Sequence, residues 1–132
     1  HRGERLWQPS LNNLLVLNNL AWSLFVFKDN RALGFAEQAL KLKPDNPAVM
    51  DTLGWILVQQ GQIERGIKLL QQALSKAPDA AEIQFHLASA FAQSGDPTRA
   101  QSELNRLLAS GAAFPQEPEA RALLKQLQGK TR

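Results

Sequence analysis

The sequence predicts an all-α solenoid built from three stacked helix–turn–helix units and a C-terminal capping helix. Similar residues return at intervals of 34, a period that is typical of helical-hairpin repeats and not of one closed core. Within each unit, apolar residues recur at i, i+4 and i+8, the spacing of one buried helix face. The recurring positions are a small residue and a leucine: Ala32, Gly66 and Ala100; Leu40, Leu74 and Leu108.

Capping residues mark the ends of the predicted helices. Asn46 precedes Pro47, and Asp96 precedes Pro97, which is the pattern of an N-cap followed by proline in the first helical turn. Together with the apolar periodicity, these signals predict seven helices. Their predicted ranges are 13–27, 30–42, 47–60, 63–76, 80–93, 97–109 and 117–128.

The turn within the first unit differs from the other two. Gly61 and Gly95 follow the first helices of the later units, where a helix commonly ends in a left-handed residue, but residues 27–30 contain no glycine. The repeat interval also drops from 34 to 33 residues across this turn. The sequence therefore predicts a tighter turn here, with Asp29 or Asn30 capping the second helix.

The pattern divides the chain into repeats and two terminal segments. The repeats are predicted at 14–46, 47–80 and 81–112. Residues 113–132 are predicted to form the capping helix, because a solenoid needs an element that covers its last apolar face. Residues 1–13 fit the pattern poorly, and we interpret them as the remnant of a preceding repeat or as added residues. The chain begins at His1 without a methionine, so we expect it to be a piece of a longer protein.

Composition excludes several function classes. The chain contains no cysteine, which excludes disulfides and thiolate metal sites. Its net charge of +3 is small and spread along the sequence, whereas nucleic-acid binders concentrate positive charge on one face. The longest apolar stretch, 14–27, is interrupted by polar residues and is too short to span a bilayer. We expect neither nucleic-acid binding nor direct membrane insertion.

Catalytic and metal-binding signatures are missing from the sequence. The only histidines are His1 and His86, and there is no glycine-rich phosphate loop, HExxH or GxSxG motif. Asp79 and Glu82 have the spacing of a capping box, which explains that carboxylate pair without catalysis. His86 has no second ligand at i+4, so we expect a partly exposed, hydrogen-bonded side chain. The sequence predicts no enzyme, no cofactor and no metal site.

The recurring residues resemble tetratricopeptide repeats, a family of 34-residue helix–turn–helix units with a Leu-Gly pair, alanines and a closing proline. The copies are Leu53-Gly54, Gly61, Ala73-Leu74 and Pro78; Leu20-Ala21, Ala32, Ala39-Leu40 and Pro44; and Leu87-Ala88, Phe91, Gly95 and Ala100. The resemblance implies a superhelix whose first helices line a concave groove that holds part of another protein.

Shorter strings resemble the C-terminal part of bacterial tetratricopeptide-repeat lipoproteins associated with exosortase (PEP-CTERM) and exopolysaccharide systems. These strings are Leu17-Asn-Asn-Leu-Ala-Trp22, Asp51-Thr-Leu-Gly-Trp-Ile-Leu57, and Leu108-Ala-Ser-Gly followed by Phe114-Pro115. This resemblance implies a location in the bacterial cell envelope or periplasm and a role in assembly or sorting there.

Groove residues are expected on the first helix of each repeat, at positions that helix packing does not use. They are Asn18, Trp22 and Phe25; Asp51, Trp55 and Gln59; and Phe85, Ser89 and Gln93, with Val26, Val58 and Ala92 beside them. Trp22 and Trp55 occupy equivalent positions and would offer amphipathic rings of the kind enriched at binding hot spots. Each tryptophan could equally pack between neighbouring first helices.

The partner is expected to be a protein or peptide. Some tetratricopeptide domains grip a C-terminal carboxylate with Lys, Asn and Arg at fixed groove positions. The equivalent residues here are Asn18, Trp22, Thr52, Glu82 and His86, which lack the required cations. The groove should therefore prefer an extended apolar or aromatic segment, or a helix. The alternative is a structural spacer of a longer solenoid that associates end to end through the face of Leu11, Leu14 and Leu15.

Overall fold

The computed structural model describes residues 13–130 of the chain as seven α-helices, which confirms the predicted all-α solenoid. The helices are α1 (Leu14–Val26), α2 (Ala32–Leu42), α3 (Pro47–Gln59), α4 (Ile63–Lys76), α5 (Ala81–Gln93), α6 (Pro97–Ala109) and α7 (Glu117–Lys130). Each helix packs against the next, so α1–α2, α3–α4 and α5–α6 are three consecutive hairpins, called repeats 1, 2 and 3 below. Of the predicted terminal segment 1–13, residues 1–12 lie outside the described residues.

The first helices of the hairpins form one layer of the stack. Helix α3 contacts both α1 and α5, and α5 also contacts α7. This layer is the one that the sequence predicts to carry the groove. None of the seven described helices is long and apolar enough to cross a membrane.

Two of the predicted N-caps are present. The Asn46 side chain accepts a hydrogen bond from the Val49 N–H at 3.2 Å, with Pro47 opening α3. Asp96 accepts from the Arg99 N–H at 3.1 Å ahead of α6. Each side chain satisfies a backbone donor that has no partner within its helix, which fixes where these helices begin.

The predicted capping box at the start of α5 is wrong. The N-cap residue is Ala80, whose side chain cannot accept a hydrogen bond. The Ala80 N–H donates to the Ala77 carbonyl at 3.0 Å, and this turn delays the helix by one residue and leaves Asp79 exposed outside it. The Glu82 carboxylate is consequently free for another partner, described below.

The first helix of every repeat ends with the same pair of backbone hydrogen bonds. In repeat 2, Gly61 N–H donates to Val58 O and Gln62 N–H to Leu57 O, around a Gly61 φ of 93°. This is the Schellman arrangement. Gly95 is equivalent in repeat 3, with φ 85°. In repeat 1 the same position is Lys28, with φ 58°, so the motif forms there without glycine.

The connection within repeat 1 is longer than the sequence predicts, not tighter. Residues 27–31 separate α1 from α2, whereas 60–62 and 94–96 separate the helices of the other repeats. The missing residue is accommodated by loss of the first turn of the second helix. Asp29 accepts from the Arg31 N–H at 2.9 Å instead of capping α2, whose N-cap residue Arg31 makes no side-chain cap.

The small residues lie between the two helices of each hairpin, as predicted. Ala32 and Ala100 are fully or almost fully buried, and Gly66 is buried too. In repeat 2 the helices approach so closely that a Cβ atom added at Gly66 would lie 2.5 Å from the Gly54 carbonyl oxygen and 2.5 Å from Val58 Cγ2. Alanine at this position would push the helices apart.

The C-terminal helix covers the end of the stack. Ala120 and Leu127 of α7 are buried with Phe114 and with Leu104 and Leu107 of α6 in one apolar cluster. This arrangement is the one expected of a terminal capping helix, because it keeps the apolar face of the last repeat away from water.

Candidate functional site

A cavity of about 400 Å³ opens on the layer of first helices. Its wall is built from α1, α3, α5 and the turn that precedes α7. The described residues that line this cavity, called the groove cavity below, are Asn18, Trp22, Ala48, Asp51, Glu82, His86 and Gln116. Asn18, Trp22 and Asp51 are among the predicted groove residues, and the structure brings them together.

A buried hydrogen bond between two repeats lies beside the groove cavity. His86 Nδ1 of repeat 3 and Asp51 Oδ1 of repeat 2 are 2.7 Å apart, and both residues are more than 90% buried. A carboxylate oxygen can only accept, so the hydrogen of this bond lies on Nδ1. The bond fixes the imidazole plane and joins the first helices of neighbouring repeats.

His86 also lies between the two equivalent tryptophans. Its ring stacks on Trp55 with a centroid separation of 4.5 Å and an interplanar angle of 22°. On Trp22 the separation is 5.7 Å and the angle 31°. Phe25 meets the Trp22 ring edge-on at 5.9 Å. The tryptophans are half-buried, so each takes part in packing and keeps part of its surface accessible.

The wall of the cavity also carries carboxylate and carboxamide groups. Gln116 Nε2 donates to Glu82 Oε2 at 3.1 Å, which links the segment before α7 to the first turn of α5. Asn18 Oδ1 and Gln116 Oε1 are shielded from solvent and have no hydrogen-bond partner among the described residues. A buried acceptor without a donor costs free energy, so these two oxygens need an explanation.

The electrostatic character of the groove cavity is acidic. Its described lining includes the carboxylates of Asp51 and Glu82 but no lysine or arginine. Among the lining residues that the structure describes, His86 is the one basic side chain, and it is already engaged with Asp51. In the described part of the chain, His, Asp and Glu side chains form no group of three that could hold a metal ion.

The remaining predicted groove residues lie elsewhere. Phe25, Val26 and Gln59 line a separate cavity of about 440 Å³ beside the first connection, together with Lys28 and Asp29. Phe85 and Ala92 pack against the main apolar cluster, which also contains the buried Val58. Ser89 is buried, and Gln93 is exposed away from the groove cavity. Val58 is therefore wrong as a groove residue, because it fills the close helix crossing at Gly66.

Three lining residues have weak or misleading signals in the sequence. His86 is buried, not partly exposed as expected, although its predicted hydrogen bond is present. It lies one residue beyond the repeat equivalent of Asp51, so the period alone does not pair them. Glu82 carries the signal of a cap that does not form. Gln116 comes from outside the repeats, and its approach depends on how the terminal segment folds back.

Comparison with known proteins agrees with this architecture. Residues 52–118 match the tetratricopeptide repeat family. A TPR repeat-containing protein of Pseudomonas aeruginosa is 36% identical over 78 residues, covering 58% of this chain and 13% of that protein. The chain therefore spans only a small part of that relative's length.

Several solved structures share the fold at low sequence identity. The Arabidopsis OM64 TPR domain superposes with a TM-score of 0.79 at 15% identity, covering 91% of this chain and 98% of that one. The Yersinia enterocolitica type III secretion chaperone SycD, in complex with a peptide of the translocator YopD, gives 0.73 at 20% identity, with coverages of 88% and 92%. YrrB, described as a TPR protein with an unusual peptide-binding site, gives 0.72 at 18% identity, with coverages of 91% and 61%.

The sequence match covers half of the chain, and the fold extends the same repeat over all three hairpins. The chain belongs to the tetratricopeptide repeat family.

Proposed function

We propose that this chain is a non-catalytic interaction scaffold that binds an extended or helical segment of another protein along its layer of first helices. The observation that carries the proposal is the aromatic series Trp22–His86–Trp55 beside the groove cavity. Half-buried tryptophans held rigidly by their neighbours offer a large contact area at low entropic cost, which is typical of binding hot spots.

The fold relatives support this proposal. SycD carries a peptide of its translocator in the solved complex, and YrrB is described by its peptide-binding site. Both reproduce the stacked hairpins of this chain at 18–20% identity. The shared fold supports a peptide-binding role in general. It does not specify the residues that line the groove cavity of this chain.

Selection of random dodecapeptides displayed on phage tests the proposal. We expect peptides that bind the wild-type chain, and we expect Trp22→Ala to weaken the binding of the selected peptides by about thirtyfold or more, since truncation of a hot-spot tryptophan costs at least about 2 kcal/mol. Fluorescence anisotropy measures the affinities. Circular dichroism melting establishes that each variant is folded.

Phe27→Ala is the matched control. Phe27 is an aromatic residue that is 83% exposed and does not line the groove cavity, so its removal should leave the affinity unchanged. If no peptide is selected, or if Phe27→Ala weakens binding as much as Trp22→Ala, the scaffold proposal is contradicted.

A second candidate function is the self-associating spacer. Leu15, Val26 and Phe27 are 68%, 67% and 83% exposed on or beside α1, while Leu14 is half-buried and Leu11 lies outside the described residues. An apolar face of this kind favours association. Light scattering from micromolar to millimolar concentration measures it. A dimer that Leu15→Glu disperses favours the spacer, and a monomer throughout excludes end-to-end pairing.

We also propose a place for the scaffold in assembly or sorting in the bacterial cell envelope. The support is the resemblance of three short strings in this sequence to tetratricopeptide-repeat lipoproteins of exosortase and exopolysaccharide systems. The last of these strings is Leu108-Ala-Ser-Gly followed by Phe114-Pro115. Fractionation of cells that produce the full-length parent protein tests this assignment. Recovery with the envelope or periplasm supports it, and recovery with the cytoplasm contradicts it.

A further inference from the structure

We infer that the groove cavity receives an arginine side chain of the bound segment. This inference rests on the proposed scaffold function and specifies the chemistry of its partner. Three features of the cavity support it: the charge of its wall, the distribution of its acceptors, and two carboxamide oxygens that have no partner among the described residues.

The charge of the wall selects a cation. Asp51 and Glu82 are carboxylates on neighbouring first helices, and the described lining contains no lysine or arginine to neutralise them. His86 donates its Nδ1 hydrogen to Asp51 but brings no permanent charge. A ligand carboxylate would meet two like charges here, whereas a ligand cation gains an ion pair in a partly desolvated cavity.

The acceptors surround the cavity on several sides. Asn18 is on α1, Asp51 on α3, Glu82 on α5, and Gln116 lies just before α7. A guanidinium group has five N–H donors fixed in one plane, and these can reach acceptors on different walls at once. An ammonium group is a compact point charge with three donors. The indole of Trp22 adds an aromatic face on which a guanidinium can stack.

The unpartnered oxygens supply an independent reason for a donor-rich ligand. Asn18 Oδ1 and Gln116 Oε1 are buried without a hydrogen-bond donor among the described residues, and both side chains line this cavity. The terminal torsion of a carboxamide is soft, so each amide can rotate to bring its buried oxygen to the cavity, and the exposed Glu82 side chain can follow Gln116 as it turns. A guanidinium that enters would provide the donors that both oxygens lack.

The Glu82–Gln116 contact places the site at the C-terminal end of the stack, because Gln116 lies just before α7. Gln116 Nε2 donates to Glu82 Oε2 at 3.1 Å, so its amide nitrogen is already engaged. The oxygen of the same amide is buried and has no donor in the described part of the chain, so it is the atom of Gln116 that still lacks a partner. The cavity lining thus contains acceptor groups from α1, α3, α5 and the turn before α7, and the amide donor of Gln116 is already used by Glu82.

A series of capped tripeptides tests the inference by NMR. The probes are acetyl-Leu-Xaa-Leu-amide with arginine, citrulline, lysine or glutamate at the central position. Citrulline matches arginine in shape but lacks its charge. We expect the arginine peptide to shift the Trp22 indole N–H and the Gln116 side-chain amide saturably, with an affinity about tenfold above that of citrulline. Lysine should bind more weakly than arginine, and glutamate should not bind.

Glu82→Gln supplies the variant. Glu82 is exposed, and glutamine keeps its size and an acceptor for Gln116, so the fold should be retained. We expect this variant to lose most of the preference for arginine over citrulline. Glu64→Gln is the matched control, an exposed glutamate in the first turn of α4 outside the groove cavity, and it should change nothing.

The outcomes separate the two proposals. Equal binding of arginine and citrulline peptides, equal binding of arginine and lysine peptides, or a preference for glutamate overturns the arginine inference. If dodecapeptides selected on phage bind in a Trp22-dependent way but share no arginine, the scaffold stands and the arginine site falls. If no peptide of either kind binds, both proposals fall.

Discussion

Repeats 1 and 2 follow the same sequence pattern, but different residues lie where their two helices cross. In repeat 2, Gly54 and Gly66 face each other, and a Cβ at Gly66 would overlap the opposite backbone. In repeat 1 the equivalent residues, Ala21 and Ala32, are both buried, so that crossing accommodates two methyl groups. A shared period therefore does not impose a shared distance, because the side chains at the crossing set how closely the helices approach.

The connections of the two repeats differ as well. Both first helices end in the same left-handed stop, at Lys28 and at Gly61. After it, repeat 2 starts its second helix at Ile63, whereas repeat 1 passes through an irregular segment that Asp29 and Arg31 hold together. The loss of one residue thus costs repeat 1 a helical turn and leaves it stabilised by an exposed ion pair.

The largest expected effect comes from Gly66→Ala. Its new methyl group would lie 2.5 Å from the Gly54 oxygen and 3.0 Å from the Val58 nitrogen, and backbone atoms cannot rotate away. We expect a loss of about 1–3 kcal/mol in the free energy of unfolding, the usual cost of overpacking, despite the better helix propensity of alanine. Urea denaturation measures the loss.

Gly34→Ala in repeat 1 is the matched control. Gly34 also lies near the start of a second helix, but a Cβ there would have no atom within 4 Å. We expect this variant to gain about 0.5–1 kcal/mol, since alanine loses less backbone entropy on folding. If both variants are stabilised, the close crossing of repeat 2 is not as tight as the comparison requires.

A smaller effect is expected at Gly61 and Lys28, the two residues in left-handed conformation that end the first helices of repeats 2 and 1. Gly61→Ala introduces a Cβ at φ 93° and should destabilise the chain by about 1 kcal/mol. Lys28→Gly relieves a similar conformation at φ 58°, partly offset by the greater freedom of glycine when unfolded, and should stabilise by about 0.5 kcal/mol. Thermal melting in parallel compares them. Opposite signs support the equivalence of these positions, and a loss at both would contradict it.

Local rules predict most of this fold. Asn46 and Asp96 correctly predict the starts of α3 and α6, because the N-cap hydrogen bond depends only on residues three apart in the sequence. The small residues at the crossings are predicted because their period matches the repeat. The first connection is not predicted, since a missing residue can tighten a turn or unwind a helix, and the pattern does not decide between them. Asp79 fails for a similar reason, because a competing turn displaces the helix start.

The groove cavity is less predictable than the fold. Asn18, Trp22 and Asp51 follow from helical phase, because the packed face of each first helix identifies the opposite one. His86 needs the rotation between repeats, which brings α5 towards Asp51 and the tryptophans. Gln116 needs the path of the segment before α7. The positions of His86 and Gln116 depend on how the hairpins stack into a superhelix. The sequence of a single hairpin does not encode that stacking.

The smallest expected effect concerns the ion pair that holds the irregular segment of repeat 1. Hydrogen bonds from the Arg31 side chain and backbone lower the pKa of Asp29 from 3.8 to about 2. Because the folded pKa lies below the unfolded value, the pair contributes stability above pH 3.8 that is lost as the pH falls towards 2. We expect the Asp29 carboxyl to titrate near this lower value by NMR.

Arg31→Gln shows whether that contact holds the connection together. We expect the variant to raise the pKa of Asp29 back towards 3.8 and to speed amide exchange across residues 29–33, because the segment loses the bonds that replace a helical turn. Exchange around Gly61 should stay unchanged, since residues 60–62 connect α3 to α4 without that contact. Equal exchange in both turns of the variant would mean that the two connections are equally stable and that the ion pair is incidental to the shape of repeat 1.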